Sequence, residues 1–241
     1  MEPAIQTIEH SRNDCTLVIM AKAPKPGLVK TRLTRNLPPR AVTALYRCLL
    51  GDTMALARSL GGVDVAIMCP GPDIEELACL AGDSVQVVTQ KGEGLAAGLT
   101  SVFERFAAGR QRVVAFNSDS PHLPAAVLRI AFAALLSSDL VAGPTHDGGY
   151  YLVGASASHP GLFAGNSMGT TSARDSLLAR ARSLALSVTL TDPFYDIDIP
   201  EDLSRLTEEL RLAPERAPRT ANWLAAWSRA AADTWAGYAR T

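Results

Sequence analysis

Four cysteines, Cys15, Cys48, Cys69 and Cys79, are all that the 241 residues contain, and no two stand in a C-x-x-C pair or beside a histidine motif. That scarcity excludes a redox pair or a zinc site on spacing grounds, and the four read as core thiols of a reducing cytoplasm. Long apolar runs are missing too. No segment approaches the roughly 20 residues needed to cross a bilayer, and residues 1–15 lack the apolar stretch of a signal peptide. A cytoplasmic protein without a membrane partner is expected. Neither charge sign dominates: 23 Lys and Arg stand against 24 Asp and Glu, for a net charge of −1. A balanced chain has no global attraction to nucleic acid, so any anion binding must come from a local cluster. One such cluster is marked by an absence. No acidic residue occurs between Asp14 and Asp52, where Lys22, Lys25, Lys30, Arg32, Arg35, Arg40 and Arg47 all fall.

With 47% hydrophobic residues, the chain has ample material for one large core. Apolar β-rich stretches recur at 16–21, 63–69, 85–89, 112–117, 139–143, 150–154 and 186–190. Helical patterns fall at 39–60, 73–81, 95–108, 124–137, 172–185 and 200–210. Such alternation predicts an α/β fold, a three-layer α/β/α sandwich around a mostly parallel, Rossmann-like sheet. The gap between 143 and 150 is too short for a crossover helix, so a hairpin is expected there. Three parts are expected: an N-terminal extension over 1–15, a nucleotide-binding domain over 16–212 and a helical extension over 213–241. That extension holds Trp223, Trp227, Trp235 and Tyr238 near helical spacing. Its apolar face would either pack back on the sheet domain or form a homodimer contact.

Ligands of open α/β sheets gather at the carboxyl ends of strands, which singles out the stretches that follow each strand. The first is "AKAPKPGLVKTRL", 21–33, where two prolines stiffen the loop and Gly27 lets backbone approach a ligand. Lys22, Lys30 and Arg32 can meet several phosphate oxygens from there. A solvated basic surface would carry the same charges, but the position after a strand and the missing acids favour phosphate. A Walker A loop is excluded, since no glycine stands at the required place before Lys30. "NSDSPHLP", 117–124, puts Asp119 at a strand tip, where it either caps a turn or serves a ligand. "DIDIPEDL", 196–203, alternates Asp196 and Asp198 in a way that lets one carboxylate share a cleft with Asp119. Two carboxylates beside phosphate oxygens suit Mg²⁺. Glu201 and Asp202 suit the first turn of a helix instead. "DGGYYLVG", 147–154, adds Asp147 and two glycines, although a glycine-rich hairpin turn looks the same. His146 beside it reads as incidental. "GEGLAA", 92–97, fits a dinucleotide fingerprint, but it lies mid-chain and leaves the basic loop unexplained.

As an ordered set these stretches resemble a bacterial family of glycosyltransferase-A-like transferases, formerly of unknown function and associated with radical-SAM and arsenosugar biosynthesis. The family shares its fold with molybdenum-cofactor and phospholactate guanylyltransferases. The resemblance spans about 16–205 and implies a sheet of the nucleotide-diphospho-sugar transferase type. It implies that Ala21, Lys22, Gly27, Lys30 and Arg32 hold nucleotide phosphates and that Gln90, Gly92 and Gly94 line the base pocket. Asp119 and Asp198 would bind Mg²⁺ or Mn²⁺, and Asp147, Gly148, Gly149 and Tyr150 would face the acceptor. Three positions depart from the family pattern: Ile199 replaces a usual Thr and removes a hydroxyl near the metal, Met168 stands where Trp is expected, and His122 is atypical.

The expected activity is metal-dependent transfer of NMP from an NTP to a small phosphorylated acceptor, with pyrophosphate leaving. Lys30, Arg32, Asp119 and Asp147 are its expected catalytic residues. NDP-sugar-dependent glycosyl transfer on the same scaffold is the rival, with Asp147 as base for the acceptor hydroxyl. A catalytically silent nucleotide-binding module is the third reading.

Overall fold

The computed structural model describes residues 13–107, 111–164 and 172–238, with the side chains of the last helix described as far as Arg229. The expected extension up to residue 12, Met168, and the side chains of Trp235 and Tyr238 lie outside the described set.

Among the described residues seven strands form one sheet: β1 (Cys15–Met20), β2 (Asp64–Cys69), β3 (Gln86–Thr89), β4 (Arg112–Asn117), β5 (Leu140–Pro144), β6 (Tyr150–Ala155) and β7 (Val188–Leu190). Their spatial order is β3-β2-β1-β4-β6-β5-β7. All neighbours run parallel except β6, which is antiparallel to both β4 and β5. The hairpin expected between 143 and 150 is therefore present. Chain order reverses between β1 and β4, which opens a crevice at their carboxyl ends.

Among the described residues there are seven α-helices: α1 (Pro39–Arg58), α2 (Ile74–Ala81), α3 (Gly94–Phe106), α4 (Ala125–Ala134), α5 (Ala173–Ser183), α6 (Pro200–Leu212) and α7 (Pro218–Tyr238). Strand alternation decides which helices each side chain meets. Leu17 and Ile19 of β1 point to Leu50 and Met54 of α1, Leu77 of α2 and Leu128 of α4. Val18 between them points the other way, to Leu99 and Val102 of α3 and Leu177 of α5. These two cores make the expected three-layer sandwich. A third core lies outside it, because α1 is apolar on two sides. Val42, Leu45 and Leu49 pack with Leu33, Ile197, Leu206, Leu210 and Leu224. This outer core fixes the loop after β1 and the segment before α6 against one another.

Two local expectations needed revision. Residues Thr31–Arg35 form a 3-10 helix rather than open loop. Cys79 stands exposed on α2 while Cys15 and Cys69 are buried, because Leu77 and Ala81, with Ile74 and Leu80 beside them, turn the other side of that helix to the core. No described helix is long and apolar enough to cross a membrane.

Candidate functional site

Because β6 alone is reversed, all five stretches singled out in the sequence emerge on one edge of the sheet. Four of their ionic side chains are drawn into a single network. Lys30 Nζ contacts Asp119 Oδ2 and lies 3.5 Å from Asp198 Oδ1, while Arg32 Nη1 meets Asp198 Oδ2 at 2.5 Å. Lys30 adopts a left-handed backbone, φ 47°, immediately before the 3-10 helix. Valine and leucine on either side of it, Val29 and Leu33, are buried in the outer core. That packing turns the lysine inward, and its side chain is only 8% exposed.

The loop after β4 and the segment before α6, which carry the two carboxylates, are each tied down by hydrogen bonds. Asn117 Nδ2 donates to Ser120 Oγ at 3.0 Å, and Ser120 Oγ donates to the Tyr195 carbonyl at 3.1 Å. Tyr46 OH shares a 2.9 Å hydrogen bond with Ser118 Oγ and accepts the Lys22 amide at 3.3 Å, so α1 clamps both loops. The Asp119 carbonyl accepts from Ile197 N–H at 3.1 Å, which ties the β4 loop to the segment before α6. Asp202, at the start of α6, accepts the backbone N–H groups of Ile199 at 2.9 Å and Asp198 at 3.0 Å. That is the helix-start role expected of Asp202.

The electrostatics follow from burial and crowding. Burial works against the Lys30 charge, but Asp119, Asp198 and Asp196 outweigh it and raise its pKa above the ordinary lysine value. Asp196 goes the other way. Burial first, then the neighbouring Asp119 carboxylate, push its pKa up to about 7. Sequence reasoning allowed one of the two alternating aspartates into the cleft; the structure brings both. The missed signal is the period of two itself: Tyr195 and Ile197 turn into the outer core, which leaves Asp196 and Asp198 on the opposite side.

The remaining expected residues divide. Ala21 is buried at the end of β1 and Lys22 is exposed, with no ion pair among the described residues. Gly27 has φ 77° at the loop's outer bend, a conformation that favours glycine. Lys25 is committed elsewhere, to Asp73 Oδ1 at 2.6 Å and the Pro72 carbonyl at 3.0 Å. Gln90 braces the turn that opens α3, its amide donating to the carbonyls of Gly92 at 2.9 Å and Gly94 at 3.1 Å. Asp147 sits at the β5–β6 hairpin tip, where Oδ1 accepts Thr145 Oγ1 at 2.5 Å and Gly149 N–H at 3.1 Å. Gly148 accepts the Arg174 amide at 3.0 Å, and Tyr150 lines a narrow groove with Met20, Leu95, Leu99 and Asn117. The hairpin residues thus share the site's edge without joining the Lys30 network.

A cleft of about 450 Å³ opens beside that network, lined by Arg32, Arg35, Asn36, Ile199, Pro200 and Glu201. Arg35 is exposed and makes no ion pair among the described residues. His122, after the Asp119 loop, is not part of the ionic network. Its ring lies 4.5 Å from that of Tyr195 and 4.8 Å from that of Phe194, with both nitrogens buried and lacking a hydrogen-bond partner.

The donor set fits a divalent cation. Asp119 Oδ1 is buried without a hydrogen-bond partner, and hard carboxylate oxygens from Asp119 and Asp198 converge on one positive charge. That charge is at present the Lys30 ammonium. Among the described residues no three His, Cys, Asp or Glu side chains stand together at metal-binding separation.

Comparison with known proteins agrees with this architecture. A protein of Desulfovibrio desulfuricans G20, provisionally described as a nucleotide-diphospho-sugar transferase, is 27% identical and superposes with a TM-score of 0.81 over 88% of this chain and 94% of its own. A nucleotidyl transferase from Methanothermobacter shares the fold at 18% identity, TM-score 0.59, over 83% of this chain and 98% of its own. So does Rv0371c of Mycobacterium tuberculosis H37Rv, crystallised in complex with manganese: 22% identity, TM-score 0.53, over 82% of this chain and all of its own. No curated protein matches the sequence. Residues 53–170 match the family model DUF2064, described as an uncharacterized protein conserved in bacteria. The resemblance drawn from the motifs is borne out at the level of the fold: the sheet is of the nucleotide-diphospho-sugar transferase type, and residues 53–170 are similar to the DUF2064 family.

Proposed function

We propose that the protein is a metal-dependent nucleotidyltransferase that moves NMP from an NTP to a small phosphorylated acceptor. The observation that carries this reading is the network of Lys30, Asp119, Asp198 and Arg32 at the carboxyl ends of β1 and β4, buried at Lys30 and open to solvent at Arg32. It offers cations for phosphate and carboxylates for a metal within one crevice. Arg35, unpaired among the described residues on the adjoining cleft, extends the positive surface. A triphosphate presents more charge for that surface to match than an NDP-sugar does.

Asp119 and Asp198 would hold Mg²⁺ or Mn²⁺, which supplies charge neutralisation at the reacting phosphate when bound. Ala21, Lys22 and Gly27 would line the phosphate path. Gln90, Gly92 and Gly94 would shape the base pocket through the braced turn. Lys30 and Arg32 would neutralise the leaving pyrophosphate, a contribution that grows as the bond breaks. Arg32→Ala should therefore lower kcat roughly a hundredfold while changing nucleotide KM far less. Asp119→Asn should lower turnover at least as much. Steady-state rates of pyrophosphate release check both, and unchanged turnover in both variants would sink the mechanism.

The second reading is NDP-sugar-dependent glycosyl transfer, favoured by the likeness to the Desulfovibrio protein. Asp147, Gly148, Gly149 and Tyr150 would face the acceptor in either case. Asp147 would act as base only if its carboxylate left the Thr145 and Gly149 contacts. Incubation with each NTP and with NDP-sugars, following pyrophosphate or NDP release, separates the two reactions. Tight nucleotide binding without metal dependence or turnover would leave a nucleotide-binding module.

A further inference from the structure

The place between the two carboxylates is filled by a cation of the chain itself. Lys30 reaches it from a left-handed backbone, a conformation that non-glycine residues rarely adopt, and the buried Val29 and Leu33 on either side hold it there. One ammonium serves both Asp119 and Asp198. It leaves Asp119 Oδ1 buried without a partner. Lys30 and Arg32 are thus the cations that meet these two carboxylates, and only Lys30 stands between them. The carboxylates are gathered around the ammonium and not around an ion position.

We propose that Lys30 is a resident counter-ion that keeps divalent metal out of the Asp119–Asp198 position until nucleotide phosphate draws the ammonium away. A metal ion arriving alone would have to expel Lys30 and leave a buried ammonium unpaired, which is costly. Phosphate offers the lysine a replacement partner within the same crevice. Metal and nucleotide then favour one another, and each raises the other's affinity by the same factor. The exclusion of metal by Lys30 stands independently of the reaction performed; only the identity of what draws the lysine off rests on the nucleotide reading.

The test is Mn²⁺ binding to the full chain without nucleotide, read from the electron paramagnetic resonance signal of free Mn²⁺. Wild type should bind weakly, because the competent form with Lys30 displaced is a minor one. If that form is about a tenth of the population, Lys30→Met should bind Mn²⁺ about tenfold more tightly. Lys30→Gln, whose amide can still donate to Asp119, covers the case in which Lys30→Met does not fold, and should gain similarly. Lys30→Arg keeps the charge and should gain nothing. Asp119→Asn placed in the Lys30→Gln background should erase the gain. Equal Mn²⁺ affinity in wild type and in either folded neutral variant overturns the proposal. If the neutral variants gain Mn²⁺ but no NTP shifts the melting temperature of wild type with Mn²⁺ present, the exclusion stands and the nucleotide reading falls.

Discussion

His122 shows how one side chain can set an acid limit on the fold. Burial, reinforced by the positive charges of Arg216 and Arg205, lowers its pKa to about 3. The unfolded chain takes up that proton near pH 6.5, the ordinary histidine value. Between those two pH values the unfolded state binds more protons than the folded one, so stability must fall as pH falls. The slope from this residue approaches about 1.4 kcal/mol per pH unit. Its ring is packed against Phe194 and Tyr195 with no hydrogen bond to lose. His122→Phe should therefore fold and flatten the stability profile between pH 6 and roughly pH 4. Urea melts at several pH values measure it, and an unchanged slope would show that other groups set the acid limit. The sequence marked His122 only as atypical of the family pattern. Its burial depends on Phe194 and Tyr195, which arrive from more than seventy residues away, and no local pattern announces that.

The docking of α7 is an element-scale question of who caps the helix. Ala217 and Pro218 at its start offer no side-chain acceptor, and its first turn holds no acidic residue. Asp52, buried in α1, takes that role across the interface. Its carboxylate accepts the N–H groups of Arg219 at 3.2 Å and Thr220 at 2.8 Å, and the Thr220 hydroxyl at 2.8 Å. A negative charge at a helix N-terminus is favourable, and here it also satisfies amides that would otherwise be buried unpaired. Asp52→Ala should cost about 2–3 kcal/mol of unfolding free energy, and Asp52→Asn, which keeps an acceptor, less. Chemical denaturation followed by tryptophan fluorescence gives both values. Equal stability of the alanine variant would mean that the helix is held by Leu224 and Ala217 in the outer core alone. Strand and helix positions were legible because the apolar periods are strong. The cap was not, since Asp52 and Thr220 lie 168 residues apart and nothing in either neighbourhood points to the other. The same limit applies to the 3-10 turn at Thr31–Arg35, which exists because Leu33 is pulled into that outer core.

At the scale of the whole molecule, the single reversed strand and the order inversion between β1 and β4 bring five separated stretches to one edge. That much was legible, because parallel α/β topology sends every strand-to-helix loop to the same side. The basic loop, Asp119 and Asp198 could be placed together on that argument alone. Which charges would meet could not, since the inward turn of Lys30, the second aspartate at 196 and the commitment of Lys25 to Asp73 all depend on packing between distant segments. A molecule built this way should respond globally to ligands at that edge, because the loops after β1 and β4 and the segment before α6 are bonded to one another as well as to the sheet. A nucleotide supplied with Mg²⁺ at about a hundred times its dissociation constant stabilises the folded state by about 2.7 kcal/mol. For a chain of this size that raises the melting temperature by roughly 5–10 °C. Mg²⁺ alone should shift it little, because Lys30 already occupies the place between the carboxylates it would meet. A thermal-shift screen of the four NTPs and of NDP-sugars, each with and without Mg²⁺, reads both effects at once. A large shift with metal alone would contradict the counter-ion role of Lys30, and the absence of any nucleotide shift would remove the phosphate reading of the basic loop.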